Sequence, residues 1–266
     1  MSITSAMFTG VSGILANAEG VNVIGNNLAN VNTVGFKGSN TVFSDMLSAN
    51  IGNGSQVGRG TQIQKVDTML SQGTFETTTS VTDLAIQGDG FFAVQGAAAG
   101  SNSFTRAGAF RMDPTNTNLV NPDGLKLLDS AGAVINMAPA GPLALAAGVT
   151  FSKVTKVDAD GTITCLLSDG STKAYPTKIG MALFPNPGGL DKGGGSVFNA
   201  TNQSGAVAIA APTANNKIFS NSLEQSNVDM ASQFVKMILT QRAYSANSKT
   251  ITTADEMTQE VLNLKR

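Results

Sequence analysis

The sequence predicts an α+β fold, with N- and C-terminal helices forming a paired helical stalk around a mainly antiparallel all-β domain. Three observations carry this prediction. Between Ile3 and Val31, apolar or small residues recur in steps of four and three at Met7, Val11, Ile14, Ala18, Val21, Gly25 and Leu28. That is the seam of a helix packed lengthwise on another helix. From Asn227 to the C-terminus the same rhythm returns at Val235, Leu239, Ala243, Ala246, Thr250, Ala254, Met257, Val261 and Leu264. From Thr61 onward the period falls to two, and short apolar runs alternate with turn residues, the pattern of strands.

Taken in order, the N-terminal helix of about 28 residues spans roughly 42 Å at 1.5 Å per residue. Its seam is thin and rich in Ala and Gly, so it buries little area alone and needs partners. It is expected to end between Asn30 and Gly35, where Gly35 can take the left-handed conformation that closes a helix. Asn26, Asn27 and Asn30 cluster there, placed either to cap the helix or to bond neighbouring helices. Phe43, Met46 and Leu47 then recur at helical spacing within Phe36–Leu47, and Ala49–Gly60 reads as a Gly-, Asn- and Ser-rich loop. These boundaries divide the chain into a terminal helical domain (1–34 with 227–266), a connector (35–60) and a β domain (61–226).

Within the β domain, Leu84–Ile86 and Phe91–Val94 flank Gly88-Asp89-Gly90 and read as strand, turn, strand. Phe104–Phe110 is a further strand. Leu119-Val120 and Leu125 flank Asn121-Pro122-Asp123-Gly124 as a hairpin. Two Asp-Gly pairs at 160–161 and 169–170 turn a three-strand meander over Val154–Tyr175. Lys178–Phe184 is one more strand, Pro139–Gly148 a loose crossover, and Gly188–Ala214 an irregular excursion.

Composition excludes much chemistry. Charged residues make up 13% of the 266, about half the usual quarter. The net charge is −1, which favours neither nucleic acid nor an anionic membrane surface. The absence of His excludes Ser-His-Asp and Cys-His arrangements and imidazole-built zinc sites. The one cysteine, Cys165, forbids an intramolecular disulfide, and its alternating strand marks it as a buried structural residue. Asp89 and Asp123 serve turns rather than calcium. Gly193-Gly194-Gly195-Ser196 beside Lys192 resembles a phosphate loop in composition but not in order, because the lysine must follow the glycines. Glu256 and Glu260, one helical turn apart, belong to a solvated face or a subunit contact. Arg106 is expected to pair with a carboxylate or a loop carbonyl. No apolar run reaches membrane-spanning length, and no basic-then-apolar leader opens the chain. No catalytic, cofactor or metal site is expected, nor any nucleic-acid or membrane-inserted partner.

Several longer motifs remain. The run Asn26-Asn27-Leu28-Ala29-Asn30-Val31-Asn32-Thr33-Val34-Gly35-Phe36-Lys37 is followed by Ser71-Gln72-Gly73-Thr74-Phe75. Asp83-Leu84-Ala85-Ile86-Gln87-Gly88-Asp89-Gly90-Phe91-Phe92, Phe104-Thr105-Arg106-Ala107-Gly108 and Leu119–Gly124 come next. The chain ends on Leu223–Asp229, Gln241-Arg242-Ala243-Tyr244 and Asn263-Leu264-Lys265-Arg266. In this order and at both ends, the set resembles the bacterial flagellar rod and hook proteins.

The short link from Phe43 to Gly73 and the ending Ile251–Met257 are most similar to hook-type subunits. The span from Ala131 to Asn221, however, is too short for the further outer β domain of a typical hook protein. The resemblance thus implies a hook subunit reduced to its inner domains or, alternatively, a distal rod-type subunit. It further implies a non-catalytic homopolymer that works in the extracellular hook or the periplasmic rod. Flagellar type III export, a hook assembly cap and rod and hook–filament junction proteins are its implied partners. Its helical seams would meet neighbouring subunits. A soluble β-rich binding module with a helical stalk is the competing class; an enzyme comes third.

Overall fold

The computed structural model describes residues 3–52, 55–96, 100–115, 117–139, 141–143, 145 and 149–264. The chain is α+β, as its periodicities predict. It divides into two units: residues 1–31, 38–69 and 228–266 form the first, and residues 32–37 and 70–227 the second.

The first unit is built on two long helices, α1 (Ile3–Ala29) and α2 (Met230–Leu264). They pair antiparallel. A Cβ on Gly10 would meet Ile251, one on Gly13 would meet Asn247, and one on Gly20 would meet Thr240. Asn27 reaches Gln233, so the two numberings run in opposite directions along the contact. Asp229 starts α2 by accepting from the backbone N–H groups of Ala231 and Ser232 through its two carboxylate oxygens, an N-cap that satisfies two otherwise free donors.

Between the helices in sequence, Ser39–Asp45 pairs antiparallel with Thr61–Thr68, with a bulge between Val42 and Phe43. A second short antiparallel pair joins Ala49–Gly52 with Ser55–Val57. This hairpin replaces the helical spacing read over Phe36–Leu47 and the loop read over Ala49–Gly60. Thr41, Val42 and Phe43 are β-branched or aromatic and find a ready partner in the alternating run Gln62–Val66. Three apolar residues at helical spacing do not outweigh that pairing.

The second unit is antiparallel throughout its ladders. Its largest sheet orders Asp191–Gly194, Val197–Asn199, Asn102–Thr105, Phe91–Gln95, Lys126–Leu127, Leu119–Val120 and Arg111–Met112, with Met181–Leu183 and Ala208–Ala210 off this path. Phe151–Val157, Thr162–Leu167 and Thr172–Lys178 form the expected meander, and Val120 pairs with Lys126 in the expected hairpin. Leu84–Gln87 departs from expectation: it pairs with Lys217–Ser220 rather than with Phe91–Gln95. The Gly88–Gly90 turn therefore moves the chain between sheets. Phe104–Phe110 is strand only to Thr105. The excursion from Gly188 holds three short strands. Its glycines make a hairpin turn, with both Gly195 (φ 59°) and Ser196 (φ 58°) in the left-handed region. Residues 140, 144 and 146–148 of the expected crossover, and the motif residues Lys265 and Arg266, lie outside the described residues.

The core belongs to this second unit. Phe92, Phe104, Phe110, Leu127, Ile135 and Met137 are among its fully buried side chains, and Cys165 is buried with them. Among the described residues of the first unit, the buried apolar side chains are those of Ala16, Ile24, Val228 and Ala254.

Candidate assembly surface

The helix pair makes its close contact through small residues. On α1 the buried positions are Gly10, Gly13, Ala16, Gly20, Ile24 and Asn27, again in steps of three and four. A Cβ on Gly13 would lie 2.6 Å from Asn247 Nδ2, and one on Gly10 would lie 2.9 Å from Ile251 Cγ1. The two backbones approach because those side chains are missing. The amides at one end are used deliberately. Asn27 Nδ2 donates to Ser39 O at 2.7 Å while Ser39 N donates back to Oδ1 at 2.8 Å, which fixes the first hairpin strand to α1. Asn30, by contrast, bonds Asn26 within its own helix. Asn27 Nδ2 also donates to Gln233 Oε1 of α2 at 3.3 Å, so of the two readings of the asparagine cluster the helix-to-helix one describes Asn27 and local capping describes Asn30.

The contact seam is offset by one residue from the apolar seam read in the sequence, which on α1 amounts to a rotation of about 100°. Met7, Ile14, Ala18, Val21 and Leu28 are left half-buried and Val11 exposed. On α2, Val235, Leu239, Ala246, Met257, Val261 and Leu264 are exposed, whereas Ala254 of the expected seam is buried, as is Gln233. Apolar side chains that a folded chain ordinarily hides therefore face outward: Phe8 is 74% exposed, Leu15 66%, Leu239 61% and Leu264 85%. Phe234 and Ile238 continue the α2 stripe. An open groove of ≈ 220 Å³, lined by Val23, Ile24, Thr41, Phe43, Leu239 and Thr240 among others, leaves the first unit incompletely filled. Exposed apolar side chains gathered along two helices make this unit the candidate interaction surface.

In the second unit the motif residues converge on a buried charge cluster. Lys37 Nζ lies 2.6 Å from Glu224 Oε1 and Arg106 Nη1 lies 3.1 Å from Glu224 Oε2. Gly73 N donates to Oε1, Lys37 also donates to Ser71 O, and Arg106 Nη2 donates to Gly88 O. Burial pushes the Lys37 amine below its usual pKa, although the bond to Glu224 opposes this. Lys192 donates to Lys37 O and lies over the Phe36 ring. Gly35 N donates to Glu224 O. Arg106 is expected to pair with a carboxylate or a loop carbonyl, and it pairs with one of each. Glu224 escaped sequence reasoning as a hub. The available sign was that Lys37, Arg106 and Glu224 each lie inside a motif stretch of a chain otherwise poor in charge.

Among the described residues, no group of three or more metal-ligating side chains gathers, and no helix is long and apolar enough to cross a membrane. Among the described residues, the chain carries exposed large apolar side chains along both of its helices. Three family models match it: "Flagella basal body rod protein" over residues 7–37, "Flagellar hook protein FlgE/F/G D1 domain" over 85–165, and "Flagellar basal body rod FlgEFG protein C-terminal" over 220–264. The chain is 37% identical to the flagellar basal-body rod protein FlgG of Bacillus subtilis, with 98% of this chain and 99% of the relative covered. It is 32% identical to FlgG of Borreliella burgdorferi, at 98% coverage of each. To the flagellar hook protein FlgE of Borreliella burgdorferi it is 26% identical, with 98% of this chain and 99% of the relative covered. The chain belongs to the flagellar rod and hook family, whose members are structural axial proteins of the bacterial flagellum, located in the basal-body rod or the hook.

Proposed function

We propose that the chain is a distal rod-type subunit of the flagellar basal body, a homopolymer that forms a tubular shaft and transmits torque. The observation that carries this reading over the hook is alignment length. The Bacillus subtilis rod relative aligns over 276 positions and the Borreliella burgdorferi hook relative over 443. The 266-residue chain thus matches a rod protein end to end and leaves a large part of the hook protein without a counterpart. Its shortness between Ala131 and Asn221, which the hook reading needed a reduced outer domain to accommodate, is ordinary for a rod protein.

The outward apolar faces of α1 and α2 are the subunit contacts in this reading, with Met7, Val11, Ile14, Ala18, Val21 and Leu28 facing Val235, Leu239, Ala246, Met257, Val261 and Leu264 of neighbouring copies. Export through the flagellar type III channel suits a chain with one cysteine and no disulfide to undo. The rod, the hook and its assembly cap are its flagellar neighbours. The deciding experiment is electron microscopy of basal bodies from a strain lacking this gene. Truncated rods without a hook are expected. An intact rod that lacks only its curved joint would transfer the chain to the hook.

A further inference from the structure

Glu224 meets two cations that arrive from distant parts of the chain, Lys37 at a separation of 187 residues and Arg106 at 118. Their side chains are 0% and 4% exposed and that of Glu224 is 0% exposed. Among the described residues, no other carboxylate pairs with either cation. The remaining partners are backbone carbonyls of Ser71 and Gly88 and the Phe91 ring, 5.2 Å from the Arg106 guanidinium, while Arg106 Nε has no hydrogen-bond partner. Without Glu224, two like charges would share one buried site, a state in which desolvation and mutual repulsion add.

The segment that carries Glu224 also closes two ladders. Lys217–Ser220 pairs with Leu84–Gln87, and Ser222–Glu224 with Phe75–Thr77. Ile218, 1% exposed, inserts into the main core from the same segment. Every one of these contacts spans most of the second unit, so each carries a large loop-closure cost before it stabilises anything.

We infer that residues 217–224 act as a closing latch: the second unit completes its fold only when this segment docks and Glu224 neutralises the Lys37 and Arg106 site, and that docking is the last folding step. In a chain made from its N-terminus, the unit stays open until nearly all of it has been synthesised.

Folding and unfolding rates of the full chain test this. The protein has two tyrosines and no tryptophan, so a Tyr244→Phe background leaves the buried Tyr175 as the fluorescent reporter of the second unit. Glu224→Gln is expected to raise the unfolding rate at least tenfold and to change the folding rate less than twofold, the signature of an interaction formed after the transition state. Adding Lys37→Met to Glu224→Gln is expected to recover part of the lost stability, since one unpaired cation then remains instead of two. If Glu224→Gln does not fold, Ile218→Val asks the same kinetic question without touching charge and is expected to speed unfolding alone. The latch is refuted by a folding rate that falls in step with stability in either variant. A Glu224→Gln protein as stable as the parent, or one that Lys37→Met destabilises further, also refutes it.

Discussion

At Gly35 the backbone sits at φ 67°, and a Cβ would lie 2.4 Å from Ala107 N. Backbone, not a movable side chain, blocks the space, while the Gly35 N–H donates to Glu224 O at 2.7 Å. Strain and collision therefore coincide where Lys37 enters the charge cluster. Gly35→Ala is expected to cost about 3 kcal/mol, measurable as a lower denaturation midpoint by Tyr175 fluorescence. Cys165 gives a pH signature. Burial pushes its thiol from 9.0 to about 11, so the thiolate forms more readily in the unfolded chain than in the folded one. Between pH 9 and 11 the folded state then holds the more protons, and stability falls as pH rises. Relative to Cys165→Ala, the wild-type unfolding free energy should be flat below pH 9 and should drop by about 2–3 kcal/mol across that window. An unchanged difference would mean that the thiol is not shielded as its 0% exposure implies.

Among the elements, helix existence was legible and helix facing was not. The three-four rhythm placed α1 and α2 within a few residues of their observed bounds. Apolar periodicity, however, identifies the stripe that must leave water, and in this fold that stripe is not the one the two helices share. Gly10, Gly13 and Gly20 carry no hydrophobic signal, yet they permit the close approach. A similar blindness hid the partner of Leu84–Gln87. Proximity in sequence favoured Phe91–Gln95, whereas the actual ladder is formed with residues 217–220, which no local pattern announces. The Asp-Gly turns, the meander and the Leu119–Leu125 hairpin were readable because their chemistry is local. The rotated seam leads to a direct test. Leu28→Asp combined with Val261→Asp places charge on residues that are half-buried and exposed, respectively, so the second unit should keep its near-UV circular dichroism while polymerisation is lost. Normal polymers from the double variant would show that these faces are not subunit contacts.

Across the whole molecule, burial is distributed very unequally. Both hydrophobic clusters, including the edge-to-face contacts Phe92–Phe110 and Phe104–Phe184, lie in the second unit. Among its described residues the first unit has four buried apolar side chains for two helices of 27 and 35 residues. At about 25 cal/mol per Å² of apolar surface removed from water, so small a set offsets little of the roughly 1–2 kcal/mol of backbone entropy that each ordered residue gives up. The hydrogen bonds within each helix do not remedy this, because water competes for them and a helix without a packed face is marginal. Stability should therefore be partitioned, with the second unit holding its fold alone and α1 and α2 acquiring theirs from neighbouring copies. Hydrogen exchange read by mass spectrometry separates these cases. In dilute monomer, amides over residues 3–29 and 230–264 should exchange within seconds while those over 84–95 and 162–167 stay protected for hours. In polymer, all four stretches should be slow. Strong protection of both helices in the monomer would mean that the Gly-lined pair is self-sufficient, and the outward apolar stripe would then need a purpose other than completing the helices.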